Sequence, residues 1–375
     1  MTATDDLRAA GVSIWLDDLS RDRIVSGDLG RLIAERGVVG ITTNPTIFAT
    51  AFAQGAAYRD QLAELRRSGA SPADIAITLM TQDVRAACDI LLPIHDSTGG
   101  LDGRVSIEVS PAAAHDSSAT LAEAIRLHEL VDRPNVFVKI PATRAGVTAI
   151  EDAIAAGISI NVTLIFGLER YRQVIEAYVR GLERARADGR DIALIHSVAS
   201  FFVSRVDVDV DRRLANVGGP AAEALSGRAA LANARLAYEV FEESLREPRW
   251  LDLAHAGAQL QRPLWASTGV KDPRMRDTRY IEELVAPHTV NTMPEKTLEA
   301  VWDHGRIRPN AIAGTFDAAR QVIEELGAAG ISMADVADSL EAAGIATFAD
   351  SWERLIAAVA PDPEPARLAR PPVTR

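Results

Sequence analysis

Short runs of apolar and β-branched residues alternate along this chain with longer segments in which apolar residues recur every three or four positions. The short runs predict strands and the longer segments predict helices. Strand and helix in repeated alternation are typical of parallel strands joined by crossover helices. The predicted strands are Ser13–Leu16, Val38–Thr42, Arg104–Val109, Asn135–Ile140, Ser159–Val162, Ile192–Ser197, Leu264–Ala266 and Thr289–Asn291. The clearest predicted helices are Asp83–Leu92, Leu121–Val131 and Glu169–Arg186.

Eight strands are the number that closes a barrel, so we predict a fold of the α/β class, a single (β/α)₈ TIM barrel. An open, doubly wound sheet has the same periodicity and stays an alternative. The sequence lacks the G-x-G-x-x-G and G-x-x-x-x-G-K-[ST] signatures typical of nucleotide-binding open sheets. We expect the barrel to occupy residues 1–360 and a proline-rich, extended tail to occupy residues 361–375.

Two connections between predicted strands are long enough to fold locally. The segment Phe48–Leu101, after the second strand, is expected to hold two helices. The segment Val206–Pro263, after the sixth strand, is expected to hold a helix near Gly227–Leu245, preceded by the turn Val217–Pro220. We therefore predict extra helices in the loops after strands 2 and 6.

The formal net charge of the 375-residue chain is −12, which disfavours nucleic-acid binding because that relies on basic surface. The same charge repels phosphate esters, so a phosphate site must be built locally from a few cations. The single cysteine, Cys88, excludes an intrachain disulfide and fits a reducing compartment. No apolar segment is long enough to span a membrane, and the N-terminus does not resemble a secretory signal. We expect a cytoplasmic protein, and a homo-oligomer is compatible with the sequence.

Catalytic groups of a barrel lie at the carboxyl ends of its strands. Lys139, in the apolar run Val136–Pro141, ends the predicted fourth strand. Burial of an ammonium among apolar residues favours the neutral amine, which is a nucleophile for carbonyls. The alternative is a lysine whose chain reaches water.

Two acidic residues and an asparagine also end predicted strands. Glu108 follows Ile107 in the third strand and is interpreted either as a general acid/base or as a member of an ion pair. Asp17, after the first strand, is either a base at the barrel mouth or a helix N-cap. Asn44, which precedes Pro45, likewise fits a site residue or a helix start.

The predicted phosphate ligands follow the sixth and seventh strands. Arg205 ends the segment Ser200–Arg205, which is expected to begin a helix or loop. Ser267 and Lys271 bound a stretch that supplies hydroxyls, a glycine and a cation, a composition typical of an oxyanion nest. The alternative is that these cations face solvent. The seven histidines show no metal-binding spacing, so we expect no metal and no other cofactor.

Taken together and in order, these segments resemble the transaldolase family over residues from about 10 to about 355. The resemblance is to the longer branch, close to the transaldolase half of transaldolase/phosphoglucose isomerase fusions. The matching segments are Ile14–Leu19, Gly40–Phe48, Val105–Val109, Val136–Pro141, Gly146–Ile150, Asn161–Phe166, Ser200–Arg205 and Trp265–Lys271.

The resemblance implies a role for each matching residue. Lys139 forms a Schiff base with the C2 carbonyl of a ketose phosphate. Glu108 and Thr163 hold the water that shuttles protons, and Asp17 takes the proton of the C4 hydroxyl. The residues expected to hold the substrate or its phosphate are Asn44, Asn161, Ser200, Phe202, Arg205, Ser267 and Lys271. The implied substrates are fructose 6-phosphate with erythrose 4-phosphate, and sedoheptulose 7-phosphate with glyceraldehyde 3-phosphate.

One position departs from many relatives, in which an arginine follows the serine equivalent to Ser267 closely. Here Lys271 takes its place, and a lysine is a point charge where arginine is a bidentate fork. Two other functions stay open. A fructose 6-phosphate aldolase that releases free dihydroxyacetone resembles this chain but has glutamine at the place of Glu108 and tyrosine at the place of Phe202. A catalytically silent barrel would bind sugar phosphates without needing the lysine.

Overall fold

The computed structural model describes residues 2–360 and contains a closed barrel of parallel strands that pair in sequence order, with β8 returning to β1. This confirms the predicted (β/α)₈ barrel and excludes the open sheet. The strands are β1 (Val12–Leu16), β2 (Val38–Ile41), β3 (Arg104–Glu108), β4 (Val136–Pro141), β5 (Ile160–Ile165), β6 (Ser197–Phe202), β7 (Gln261–Ala266) and β8 (Thr289–Met293). The predicted tail, residues 361–375, lies outside the described residues.

Helices cover the outside of the barrel. Those of the first half are α1 (Ala3–Ala9), α2 (Arg21–Val25), α3 (Asp28–Arg36), α4 (Pro45–Gln54), α5 (Arg59–Arg67), α6 (Pro72–Ser97), α7 (Ser117–Val131) and α8 (Arg144–Ala155). Those of the second half are α9 (Leu168–Ala187), α10 (Ser204–Val217), α11 (Gly219–Leu225), α12 (Ala229–Ser244), α13 (Pro248–His255), α14 (Arg279–Glu283), α15 (Glu295–His304), α16 (Phe316–Ala328) and α17 (Met333–Val359). Among residues 2–360, no helix has the length and apolar character that a membrane crossing requires.

The strands are buried along almost their whole length, because side chains fill the barrel on one face and helices cover the other. Strand register then fixes which side chains share a level. Glu108 on β3 lies opposite Lys139 on β4, and Lys139 lies opposite Asn161 on β5. Three polar side chains at the same height therefore meet near the carboxyl ends of neighbouring strands.

The prediction for the sixth strand is wrong by five residues. Ile192–Leu194 forms a 3₁₀ turn in which the Asp191 side chain accepts from the amide of Ala193, and the strand itself begins at Ser197. The prediction followed the four apolar residues Ile192–Ile195, whereas the strand lies in the second apolar run, which follows the polar residues His196 and Ser197. Ser200 and Phe202 consequently lie on β6, not in the helix or loop that we predicted after it.

Both long connections contain more helices than predicted. The connection after β2 holds α4, α5 and α6, together with a short 3₁₀ turn at Ala56–Tyr58, where two helices were expected. The connection after β6 holds α10 to α13, and α12 confirms the helix predicted near Gly227–Leu245. A buried carboxylate anchors this second connection, because Asp207 accepts from the Ala230 amide at 2.7 Å and from the Tyr280 hydroxyl at 2.6 Å.

Candidate active site

A cavity of about 760 Å³ opens at the carboxyl ends of the strands. All the predicted site residues except Asn161 line it: Asp17, Asn44, Glu108, Lys139, Thr163, Ser200, Phe202, Arg205, Ser267 and Lys271. These residues come from strand ends and loops spread over most of the barrel, so closure of the barrel is what brings them together.

Lys139 projects from β4 into this cavity with only 7% of its surface exposed. Its Nζ donates to the main-chain oxygen of Thr43 at 3.1 Å and lies 3.3 Å from Oε2 of Glu108. The side chain therefore ends inside the protein, and the alternative in which it reaches bulk water is wrong. An amine held between a carbonyl oxygen and a carboxylate has its position fixed before any substrate binds.

Glu108 is the second enclosed charge, with 5% of its surface exposed. Burial raises the pKa of its carboxyl group, and the neighbouring Lys139 opposes that rise. The ion-pair interpretation is confirmed by the contact with Lys139, and the acid/base interpretation stays a prediction. A carboxyl group whose pKa is raised takes up a proton more readily, as a general base must.

Asp17 does not cap a helix, because α2 is capped by the Ser20 side chain, which accepts from the Arg23 amide. Its Oδ1 instead accepts a hydrogen bond from the Thr42 hydroxyl at 2.8 Å. The carboxylate is partly accessible from the cavity, but the surrounding protein encloses it. That enclosure raises its pKa, against the opposing effects of Lys139 and of the Thr42 hydrogen bond.

Asn161 and Ser200 form a hydrogen-bonded layer below these charges. The Asn161 amide donates to the Ser106 hydroxyl at 3.0 Å, and its Oδ1 accepts from the Ser200 hydroxyl at 2.7 Å. Asn161 is fully buried and lies beneath the cavity, whereas Ser200 lines it. Thr163, 1% exposed, also lines the cavity, and its hydroxyl has no hydrogen-bond partner among residues 2–360.

The predicted phosphate ligands lie on the other side of the cavity. The guanidinium of Arg205, in the first turn of α10, stacks 5.1 Å from the ring centre of Phe202. No carboxylate of the described chain lies within 4.0 Å of it, and burial lowers its pKa. Ser267 has a positive φ of 56° and its hydroxyl lies 2.9 Å from that of Ser204. Lys271 is exposed at the rim, as the solvent-facing alternative had it.

Several cavity residues were missed from the sequence. Thr42 had a visible signal, because it ends a predicted strand two residues before Asn44. For Thr292, on β8, the only signal in the sequence was its position next to a predicted strand. Thr347, Phe348 and Ser351 line the cavity from α17. Their place in the site depends on where that helix packs, and Ser351 is held there by a 2.7 Å contact with the hydroxyl of Thr46.

A closed parallel barrel with a polar cavity at the carboxyl ends of its strands defines the class: a (β/α)₈-barrel enzyme. The family model described as transaldolase/fructose-6-phosphate aldolase matches residues 14–359. The chain belongs to this family.

Individual relatives are similar over nearly their whole length. "Transaldolase 1" of Streptomyces avermitilis is 58% identical over 350 residues, which covers 93% of each chain. "Transaldolase 1" of Streptomyces coelicolor is 56% identical over 357 residues, covering 95% of this chain and 94% of that protein. "Transaldolase" of Thermobifida fusca is 55% identical over 354 residues, covering 94% of this chain and 96% of that protein.

Asn44 both caps a helix and lines the cavity, and substitutions can test these two features separately. Its Oδ1 accepts from the Ile47 amide at 3.0 Å and caps α4, while the residue lines the cavity. Asn44→Ala should lower the free energy of unfolding by about 1 kcal/mol, whereas Asn44→Ser keeps a capping oxygen and should stay near wild type. Both variants lose the amide NH₂, so both should lose turnover.

Urea unfolding and steady-state kinetics on the two variants make this comparison. Full activity in Asn44→Ser would show that the residue serves only as a helix cap. Equal destabilisation of both variants would show that capping is not its structural task.

Proposed function

We propose that this transaldolase transfers a dihydroxyacetone unit between sugar phosphates through a Schiff base on Lys139. Family membership and the transaldolases that resemble it over almost its whole length support the activity. The observation that carries the choice of residue is the enclosed Nζ of Lys139, 3.3 Å from a buried carboxylate inside the cavity. The pathway that uses this reaction is the non-oxidative pentose phosphate pathway.

The first step is imine formation. Lys139 gives a proton to the neighbouring Glu108 carboxylate, and the resulting neutral amine attacks the C2 carbonyl of the ketose phosphate. The carbonyl oxygen then leaves as water after two further proton transfers. Glu108 exchanges these protons, since it lies next to the reacting nitrogen and its raised pKa favours proton exchange. The Thr163 hydroxyl, without a protein partner among residues 2–360, hydrogen-bonds the water.

The second step is cleavage of the C3–C4 bond. The protonated imine withdraws electrons, so the bonding pair moves to C3 and forms an enamine on Lys139. Asp17 removes the proton of the C4 hydroxyl, and C4 leaves as the aldehyde of an aldose phosphate. Because Asp17 must begin as a carboxylate, the cation at Lys139 and the hydrogen bond from Thr42 both favour this step.

The third step reverses the second with a different aldehyde. The enamine carbon attacks C1 of the incoming aldose phosphate, and the proton returns from Asp17 to the new hydroxyl. Hydrolysis of the imine then frees the longer ketose phosphate and restores Lys139. The carboxylate at Glu108 and the phenylalanine at Phe202 favour transfer over release of free dihydroxyacetone, by resemblance to the transferase members of the family.

The substrates in this proposal are phosphate esters, and Arg205 is their main ligand. Its guanidinium faces the cavity, stacks on Phe202 and has no protein carboxylate within 4.0 Å among residues 2–360. Ser267 and the exposed Lys271 contribute a hydroxyl and a second cation from the neighbouring loop, which follows β7. We also propose a cytoplasmic location, in keeping with a metabolic enzyme whose one cysteine is a buried free thiol.

Borohydride trapping tests the role of Lys139. The chain has only three lysines, Lys139, Lys271 and Lys296, so peptide mass analysis assigns an adduct without ambiguity. After reduction in the presence of fructose 6-phosphate, a three-carbon adduct is expected on Lys139. Lys139→Ala should lose the adduct and lower kcat by on the order of 10³-fold or more. Lys296→Ala should keep both, and an adduct on either other lysine would overturn the assignment.

The same trapping separates the role of Asp17 from that of Lys139. Asp17→Asn leaves the amine in place but cannot take the C4 proton, so we expect a trapped adduct that retains all six carbons. A three-carbon adduct formed at the wild-type rate would show that another group accepts this proton.

Arg205→Ala tests the phosphate site. Loss of charge-assisted hydrogen bonds should lower kcat/KM for fructose 6-phosphate by about 10²-fold, or about 2.7 kcal/mol. Turnover of unphosphorylated fructose should change little. Arg212→Ala is the matched control, because that arginine lies on the same helix and is exposed. Equal losses for both sugars would remove Arg205 from phosphate binding.

A further inference from the structure

Two buried threonines form a chain of hydroxyls behind Asp17. The Thr42 hydroxyl donates to Oδ1 of Asp17 at 2.8 Å and lies 2.6 Å from the Thr292 hydroxyl. Thr42 is 2% exposed and Thr292 is 4% exposed. Thr42 follows β2, and Thr292 lies on β8, the two strands that pair with β1. The strand that leads into Asp17 is thus flanked by the two strands that carry or precede these hydroxyls.

Counting protons fixes the direction of the chain. A hydroxyl has one proton, and while Asp17 is a carboxylate the proton of Thr42 is used on it. The 2.6 Å contact therefore requires Thr292 to donate to Thr42. When Asp17 takes a proton on its other oxygen, Oδ1 remains an acceptor and keeps the hydrogen bond from Thr42, which is weaker because the carboxyl group no longer carries a charge. Both protonation states of Asp17 keep a satisfied partner.

The chain is anchored at its far end. The single proton of the fully buried Thr268 hydroxyl is shared between Oδ1 of Asn291 at 3.0 Å and the main-chain oxygen of Thr292 at 3.3 Å. The position of Thr292 is thereby fixed from β7 and β8 together. Since Oδ1 of Asp17 is occupied by Thr42, the second carboxylate oxygen is the one presented to a substrate hydroxyl.

We propose that Thr42 and Thr292 are positioning residues that orient Asp17 and set its proton affinity for the cleavage step. The inference rests on the proposed role of Asp17 as the acceptor of the C4 proton. Four other charges act on Asp17: Lys139 on β4, Glu108 on β3, Arg205 on α10 and the adjacent Asp18. Lys139 and Arg205 favour the carboxylate form of Asp17, whereas Glu108 and Asp18 favour its protonated form. Because these charges oppose one another, the hydrogen bond from Thr42 contributes to which form prevails.

The test is the pH dependence of the cleavage step in Thr42 variants. The rate of glyceraldehyde 3-phosphate release in the first turnover with fructose 6-phosphate requires Asp17 as a carboxylate. Loss of a hydroxyl that stabilises the carboxylate raises the pKa of Asp17. The acidic limb of the pH–rate profile for cleavage should therefore move to higher pH. For Thr42→Val we expect the acidic limb of the pH–rate profile to shift by about one pH unit, which makes cleavage about tenfold slower at any pH on that limb. Thr42→Ser restores the hydroxyl and should restore the limb.

Thr292→Val is the second test, since it leaves Thr42 in place and removes only the donor to it. A smaller shift in the same direction is expected. Thr81→Val is the matched control, because that buried threonine donates within α6 and does not line the cavity. An acidic limb at the wild-type pH in both Thr42→Val and Thr292→Val, or one that Thr42→Ser fails to restore, overturns the inference.

A double variant distinguishes this inference from the proposal on which it rests. If Asp17→Asn retains cleavage, the role of Asp17 itself is wrong. If Asp17→Asn abolishes cleavage while Thr42→Val behaves as wild type, only the hydroxyl chain is wrong. In the Asp17→Asn background, Thr42→Val should lower the residual cleavage rate by less than twofold, because the carboxylate that it serves is gone.

Discussion

The contact between Lys139 and Glu108, inside the mouth of a closed barrel, is the interaction on which the rest of the site depends. A buried ammonium or carboxylate alone is costly, and each stabilises the other here at 3.3 Å. The Thr43 carbonyl accepts another proton of the amine and fixes its direction. This arrangement requires the ends of three neighbouring strands, β2, β3 and β4, to lie in register, as their parallel pairing provides.

Around that contact the positive and negative charges of the site oppose one another, although the whole chain carries a formal net charge of −12. Asp17 and Glu108 oppose Lys139 and Arg205, and burial raises the pKa of both carboxyl groups. In the proposed mechanism these carboxyl groups exchange protons and the guanidinium of Arg205 binds the anionic ester. Such a site needs only a few well-placed groups in a protein of negative net charge.

The sequence predicted the barrel and most of the cavity because strand ends in a barrel converge by construction. Lys139 and Glu108 were identifiable as charges inside apolar runs. The start of β6 was predicted wrongly because two short apolar runs, Ile192–Ile195 and Val198–Phe202, lie next to each other, and periodicity alone does not show which of them forms the strand. The place of Asn161 below the cavity, and that of Phe348 beside it, depend on tertiary packing, which local periodicity does not encode.

A crystal structure of the protein reacted with fructose 6-phosphate tests the central claim most directly. The account predicts continuous electron density from Nζ of Lys139 to C2 of the bound carbon chain, with the Glu108 carboxylate within hydrogen-bond distance of that nitrogen. Sugar bound with C2 away from Lys139, or joined to Lys271 at the rim, would contradict it.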